Sequence, residues 1–246
     1  MIRYQILIEY VGTNFKGWQV QKKGVTVQGL LEQEISKVLS EKIKVYGSGR
    51  TDAGVHAIQQ SAHFDCSSEI KNLNKVFNSI NFFINPFQVS LLKLKKKNSN
   101  FHARFSAKKR LYKYIIINRP SMPVIEKKKS WHIRKDLDIQ LMKKGAQKLL
   151  GKKDFSTFRA SSCNAKSPIR TMEKVIITNK KDKIIIKFQS QSFLQQQVRS
   201  MVGCLKYLGE KKWTLNEFIK VIKSKNRKLC APPAPAEGLF LERVFY

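Results

Sequence analysis

This sequence predicts an α+β protein in two halves, on three observations. Segments with the period of a strand alternate with segments of helical period along the whole chain. The strand-like segments are short and bounded by glycine, proline or Lys-Asp turns. The element order of the second half resembles that of the first, although no residue-level repeat accompanies it. The division is placed between 106 and 107, giving halves 1–106 and 107–246. Each is expected to be RRM-like, or ferredoxin-like: a mostly antiparallel mixed sheet with helices on one side, the two halves flanking a basic central cleft.

Residues 3 to 10 read as a strand. Thr26 then caps a helix whose apolar face carries Val27, Leu31, Ile35, Val38 and Leu39. Residues 43 to 47 read as a short strand, and Ile58, Ala62 and Phe64 mark one face of the next, so a loop spans Gly47 to Ala57. A second helix carries Ile70, Leu73, Val76, Phe77 and Ile80, and Val89 to Leu94 returns as a strand. The second half opens with a buried strand, Arg110 to Ile117, followed by a Pro- and Lys-rich connection, 118 to 130. A helix then points Ile139, Met142, Ala146 and Leu149 inward, with Gly151 just past its end. Val175–Thr178 and Ile184–Phe188 form a hairpin across a Lys-Asp turn. A helix with Leu194, Val198, Met201, Val202, Leu205 and Leu208 inward follows, then a shorter one opened by the capping box Thr214-x-x-Glu217. Prolines 232, 233 and 235 precede a last strand, Leu239 to Tyr246.

Charge narrows the function. Lys and Arg number 48 against 17 Asp and Glu, a formal net charge of +31. A surface so positive attracts polyanions, nucleic acid first among them. No apolar run reaches the roughly 20 residues that a membrane span needs, and the N-terminus lacks the apolar run and cleavage site of a signal peptide. A soluble, cytoplasmic protein is therefore expected. Cys66, Cys163, Cys204 and Cys230 are scattered with no C-x-x-C pair, which argues against a zinc site and a disulfide framework. Four isolated histidines, His56, His63, His102 and His132, lack ligand spacing and are expected to be structural or close to RNA.

The segment richest in chemistry is Gly47-Ser48-Gly49-Arg50-Thr51-Asp52-Ala53-Gly54-Val55-His56-Ala57. Its glycines let backbone approach a ligand, with a charged pair at the tip. The spacing fits neither a Walker loop nor a dinucleotide fingerprint. On residue types alone an Arg-x-Asp turn is more often a structural ion pair than a catalytic site.

Residues Gly49 to Ala57 match the signature of the TruA family of pseudouridine synthases, and blocks along the whole chain agree in order. Phe15-x-Gly17-Trp18-Gln19 and Thr26-Val27-Gln28-Gly29 resemble that family's N-terminal block. Phe101 to Ala107 and Arg110-Leu111-Tyr112-Lys113-Tyr114 resemble its tyrosine segment. Asp154 to Arg159, Lys166 to Thr171, Phe193 to Gly203 and Ala234 to Leu239 are similar to later blocks. Departures lie at Lys153, where many relatives have histidine, and at Gln195 to Gln197, where relatives carry His or Met.

The resemblance implies an isomerase that needs no cofactor and no metal, acting on uridines 38 to 40 in the tRNA anticodon arm, and a homodimer. It makes Asp52 the catalytic carboxylate. Arg199 becomes its ion-pair partner, Arg50 a contact near the flipped nucleotide, and Tyr112 the ring against the uracil. Tyr114 would share a strand face with Tyr112, and only the family block chooses between them. Lysines near 93–97, 108–110 and 127–129 are candidate backbone contacts. A non-catalytic RNA-binding module or chaperone is the competing reading, and it lacks a convincing RNP aromatic pattern. A metal-dependent nuclease would need clustered carboxylates, whereas Asp52 has no acidic neighbour until Asp65.

Overall fold

A computed structural model describes residues 1–246. Ten strands and five α-helices form two compact units, one of residues 1–108 with 240–246, the other of residues 109–239.

The first unit begins with β1 (Ile2–Tyr10), α1 (Val27–Leu39), β2 (Tyr46–Gly47), β3 (His56–Cys66), α2 (Leu73–Ile84) and β4 (Val89–Lys97). β1 lies between β3 and β4 and is antiparallel to both, with Ile6 opposite Ala62 on one side and Leu94 on the other. β2 pairs with the far edge of β3. Helix α1 starts where expected, because the Thr26 hydroxyl accepts the Gly29 N–H at 3.2 Å, a cap of about 1 kcal/mol. Asn72 caps α2 in the same way through the Lys75 N–H. Leu31 and Ile35 of α1, Ile80 and Ile84 of α2, and Ile6, Ile8 and Phe64 of the sheet are fully buried together in this unit.

The expected strand at 43–47 is corrected to two residues. Ile43 and Val45 are buried, but their N–H groups bond the Ser36 hydroxyl at 2.8 Å and the Glu32 carboxylate at 3.0 Å rather than a neighbouring strand. Side chains of α1 thus satisfy backbone that alternation alone would send into a ladder.

The second unit contains β5 (Lys109–Asn118), β6 (Trp131–Ile133), α3 (Ile139–Lys148), β7 (Gly151–Asp154), β8 (Ile169–Lys180), β9 (Lys183–Ser190), α4 (Gln197–Gly209) and α5 (Leu215–Lys223). Its sheet runs β5-β9-β8-β7, all antiparallel, with β6 parallel to β5. The pairing of β5 with β9, and of β9 with β8, repeats the order of β1, β3 and β2 in the first unit. Helices α3, α4 and α5 close over one another where Gly145 faces Leu208 and Phe218. The capping box of α5 is complete, Thr214 and Glu217 each accepting the other's backbone N–H. Gly151, just past the end of α3 as expected, is the first residue of β7 with φ +90°. Strand β6 falls just after the 118–130 connection and has no counterpart in the sequence reading.

The last strand, β10 (Leu239–Phe245), packs with the first unit, Phe240 opposite His56 in parallel register. A division at 106/107 would leave these residues in the second half. No helix is long and apolar enough to cross a membrane.

Candidate active site

The loop Ser48–Val55 joins β2 to β3 and is held by a set of hydrogen bonds from the strands and the N-terminal segment. Gln60, fully buried on β3, donates its amide N–H to the Gly49 carbonyl at 2.8 Å. Its amide oxygen accepts the Ser48 hydroxyl at 2.8 Å and the Ser61 N–H at 3.2 Å. The Ser48 N–H reaches the Ser61 carbonyl at 2.8 Å. Thr51 is buried, its hydroxyl 2.8 Å from that of Tyr10 and its carbonyl accepting the Trp18 N–H at 3.0 Å. The Asp52 carbonyl accepts from Val55 at 3.1 Å, closing the turn through Gly54, whose φ is +79°. His56 accepts the Gly12 N–H on Nδ1 at 3.0 Å and stacks on Phe240 at 4.6 Å. Buried polar groups satisfied this fully resist displacement, because breaking one strands its partner at a cost of about 1–3 kcal/mol.

The N-terminal block serves this loop. Phe15 and Trp18 are buried, and Gly17 has φ +94° with space for a Cβ closed by the Thr51 carbonyl at 2.8 Å. Any side chain there would meet both a strained backbone and the loop. The resulting scaffold leaves Arg50 exposed and Asp52 half-buried at the tip. A carboxylate on a rigid, partly open loop can act as a base or as a nucleophile toward a sugar carbon.

Tyr112 and Arg199 belong to the second unit. Tyr112 lies on β5 opposite Phe188, buried, its ring edge-on to Phe193 at 5.0 Å. Arg199 is the third residue of α4 and half-buried. Its Nε donates to the Ala234 carbonyl at 2.7 Å, and its own carbonyl accepts the Ala234 N–H at 3.0 Å. Tyr114 is fully buried and donates to the Pro235 carbonyl at 2.8 Å. Burial pushes its phenol well above the usual range, opposed in part by the positive charge of Arg199. The C-terminal block Ala234–Leu239 therefore begins as an anchor for Arg199 and Tyr114. The Tyr114 hydroxyl is thereby tied to the backbone of that block.

Other expectations sort by burial. Arg110 is buried and donates to the Gln191 carbonyl. Lys109 is paired with Glu173 at 3.0 Å and Lys96 with Glu69 at 2.6 Å, whereas Lys127, Lys128 and Lys129 are exposed. The histidines hold backbone: His63 accepts from Ala103 at 3.2 Å, His102 from Arg104 at 3.1 Å, and His132 lies 2.9 Å from the Arg119 carbonyl. At the departures from the family pattern, Lys153 bonds the Leu150 carbonyl, and buried Gln197 accepts the Leu194 N–H at 2.8 Å. Tyr10 and Gln60 went unnoticed in the sequence. Gln60 stands between Gln59 and Ser61 on β3, so its residue type alone did not mark it.

A family profile described as tRNA pseudouridine synthase matches residues 6–112 and 146–246, stretches that carry Arg50, Asp52, Tyr112 and Arg199. The chain is 66% identical over 246 residues to tRNA pseudouridine synthase A of Pelagibacter ubique, covering all of both chains. It is 42% identical over 246 residues to the protein of the same name from Paramagnetospirillum magneticum, covering all of this chain and 96% of that one. The chain belongs to the tRNA pseudouridine synthase family.

Proposed function

We propose that this protein isomerises uridine to pseudouridine at positions 38 to 40 of the tRNA anticodon arm, with Asp52 as the reacting carboxylate. The observation that carries the reading is the loop of Asp52: a half-buried carboxylate whose flanking backbone is bonded on both sides, within a chain matched over its full length by synthases of this kind. The reaction breaks N1–C1′, turns the base and joins C5 to C1′, with the proton on C5 lost and one gained at N1. Substrate and product are isomers, so no oxidant or reductant enters. Asp52 either attacks C1′ or takes the C2′ proton to leave a glycal, and an ionised carboxylate serves both routes.

In this reading Arg199 pairs with Asp52 and keeps it charged and aimed, Tyr112 lies against the uracil, and Arg50 acts near the flipped nucleotide. Extruding a stacked base costs a few kcal/mol, offset by phosphate contacts from a chain of net charge +31. The protein acts in the cytoplasm as a homodimer gripping one tRNA from both subunits. Light scattering should report twice the 28.5 kDa of one chain, and a fully active monomer would exclude that assembly. The activity is tested by carbodiimide mapping and primer extension on unmodified tRNA transcripts. Stops are expected adjacent to positions 38 to 40 only after incubation with the protein, and their absence overturns the reading.

A further inference from the structure

Two cysteines of the second unit meet where the anchor of Arg199 crosses α4. Cys204, fully buried on the helix, has its sulfur 3.4 Å from that of half-buried Cys230. The two segments touch closely around this pair. A Cβ on Gly203 would lie 2.1 Å from the Pro232 carbonyl oxygen, so only glycine permits the crossing. Arg227 donates to the Ser200 hydroxyl at 2.8 Å, and Ala234 exchanges its two hydrogen bonds with Arg199. The thiols thus bridge the same two segments that fix Arg199. The other cysteines lack such a neighbour: the Cys66 thiol is directed at backbone carbonyls of Ser68 and Ile2.

The geometry points to Cys204 and Cys230 as an oxidisable dithiol that a hydroperoxide closes to a disulfide, tying the 230–235 segment to α4 and displacing the anchor of Arg199. Exposure divides the roles. Cys230 is the less buried of the two, and the Cys204 S–H that it accepts, together with the Arg227 guanidinium, holds it below the ordinary thiol range. Cys204 is pushed the other way by the shared proton and by burial. The Cys230 thiolate attacks the peroxide, breaking O–O to give a sulfenic acid and hydroxide, which takes up the proton the thiol had lost. The Cys204 sulfur then displaces the sulfenic oxygen, which leaves as water with the Cys204 proton. Two thiols are oxidised, one peroxide is reduced, and two waters result. A disulfide needs a separation of about 2.0 Å, so the sulfurs must approach by roughly 1.3 Å. Gly203 and Pro232 are packed so closely that a shift of the 230–235 segment carries Ala234 with it, and the Arg199 side chain bonded to Ala234.

The consequence for turnover rests on the proposed role of Arg199; the disulfide itself does not. The test treats the full-length protein with hydrogen peroxide, counts thiols after denaturation and maps non-reduced peptides by mass spectrometry. Thiols should fall from four to two, with one cross-link joining the peptides of Cys204 and Cys230. Cys230→Ser should retain all three of its thiols and be indifferent to peroxide. Pseudouridine turnover should fall at least fivefold on oxidation, recover with dithiothreitol, and remain unaffected by peroxide in Cys230→Ser and Cys204→Ser. Absence of the cross-link, or its formation through Cys66 or Cys163, overturns the proposed pair. A cross-link that leaves turnover unchanged overturns its action on Arg199. A protein that forms the cross-link but makes no pseudouridine in either state refutes the proposed function while upholding the dithiol.

Discussion

The Tyr10 hydroxyl lies 2.8 Å from the Thr51 hydroxyl, in a buried contact one residue before Asp52. The end of β1 thereby sets the position of a loop 41 residues further along the chain. Replacing Tyr10 by Phe removes this bond and leaves the Thr51 hydroxyl buried without it, a loss of about 1–2 kcal/mol. Turnover should fall several-fold with tRNA affinity unchanged, because the loop loosens while phosphate contacts stay. Steady-state kinetics alongside filter binding checks the split, and an unaltered turnover would free the Asp52 loop from its dependence on β1.

Tyr112 and Tyr114 are told apart by their phenylalanine variants. Tyr114→Phe loses the bond to the Pro235 carbonyl and should lower stability by about 1 kcal/mol, with a modest effect on rate through Arg199. Tyr112→Phe should reduce turnover at least tenfold. Thermal melting and single-turnover assays on both variants decide between them. The reverse pattern would transfer the substrate role to Tyr114.

His63 makes stability pH-dependent over a defined window. Burial first, then the nearby charge of Arg3, lowers its pKa from 6.5 to about 4. The folded state keeps it neutral while the unfolded chain takes up a proton below about 6.5, so stability is full above that pH and declines as pH falls toward 4. The decline is as much as about 3 kcal/mol. His63→Asn can still accept the Ala103 N–H without titrating, and its melting temperature should be much flatter between pH 6.5 and 4. An unchanged slope in the variant would move the effect to other groups.

Affinity for tRNA should fall steeply and linearly on a plot of log binding constant against log salt, as each neutralised phosphate releases counterions. Lys127, Lys128 and Lys129 are exposed, and replacing all three by Gln should reduce the slope. A slope near zero for the parent protein would refute backbone-led binding.

What the sequence revealed follows the range of the interactions involved. Helix starts at Thr26 and Thr214 were legible because a cap is decided within three residues. The strand at 43–45 was misread because its N–H groups are taken by Ser36 and Glu32, partners that alternation does not encode. β10 reads as a strand, but its parallel match to His56 and Ala57 is a contact across most of the chain. The Asp52 loop was visible as a motif, whereas Tyr10 and Gln60, which hold it, were hidden among strand residues. The thiol contact of Cys204 with Cys230 was invisible too, since 26 residues separate them.

Asp52→Asn is the most direct test of the mechanism. Asparagine preserves size and much of the hydrogen bonding, so the loop held by Gln60, Trp18 and Tyr10 should keep its shape, and melting should be unchanged within about 1 kcal/mol. It removes the charge and the reactive lone pair, so neither attack at C1′ nor proton removal at C2′ can proceed. The measurement is pseudouridine formation at positions 38 to 40 by the folded variant, run beside filter binding of the same tRNA. The predicted result is no detectable product with affinity within a few-fold of the parent; appreciable turnover by the folded Asp52→Asn protein would contradict the assignment of Asp52.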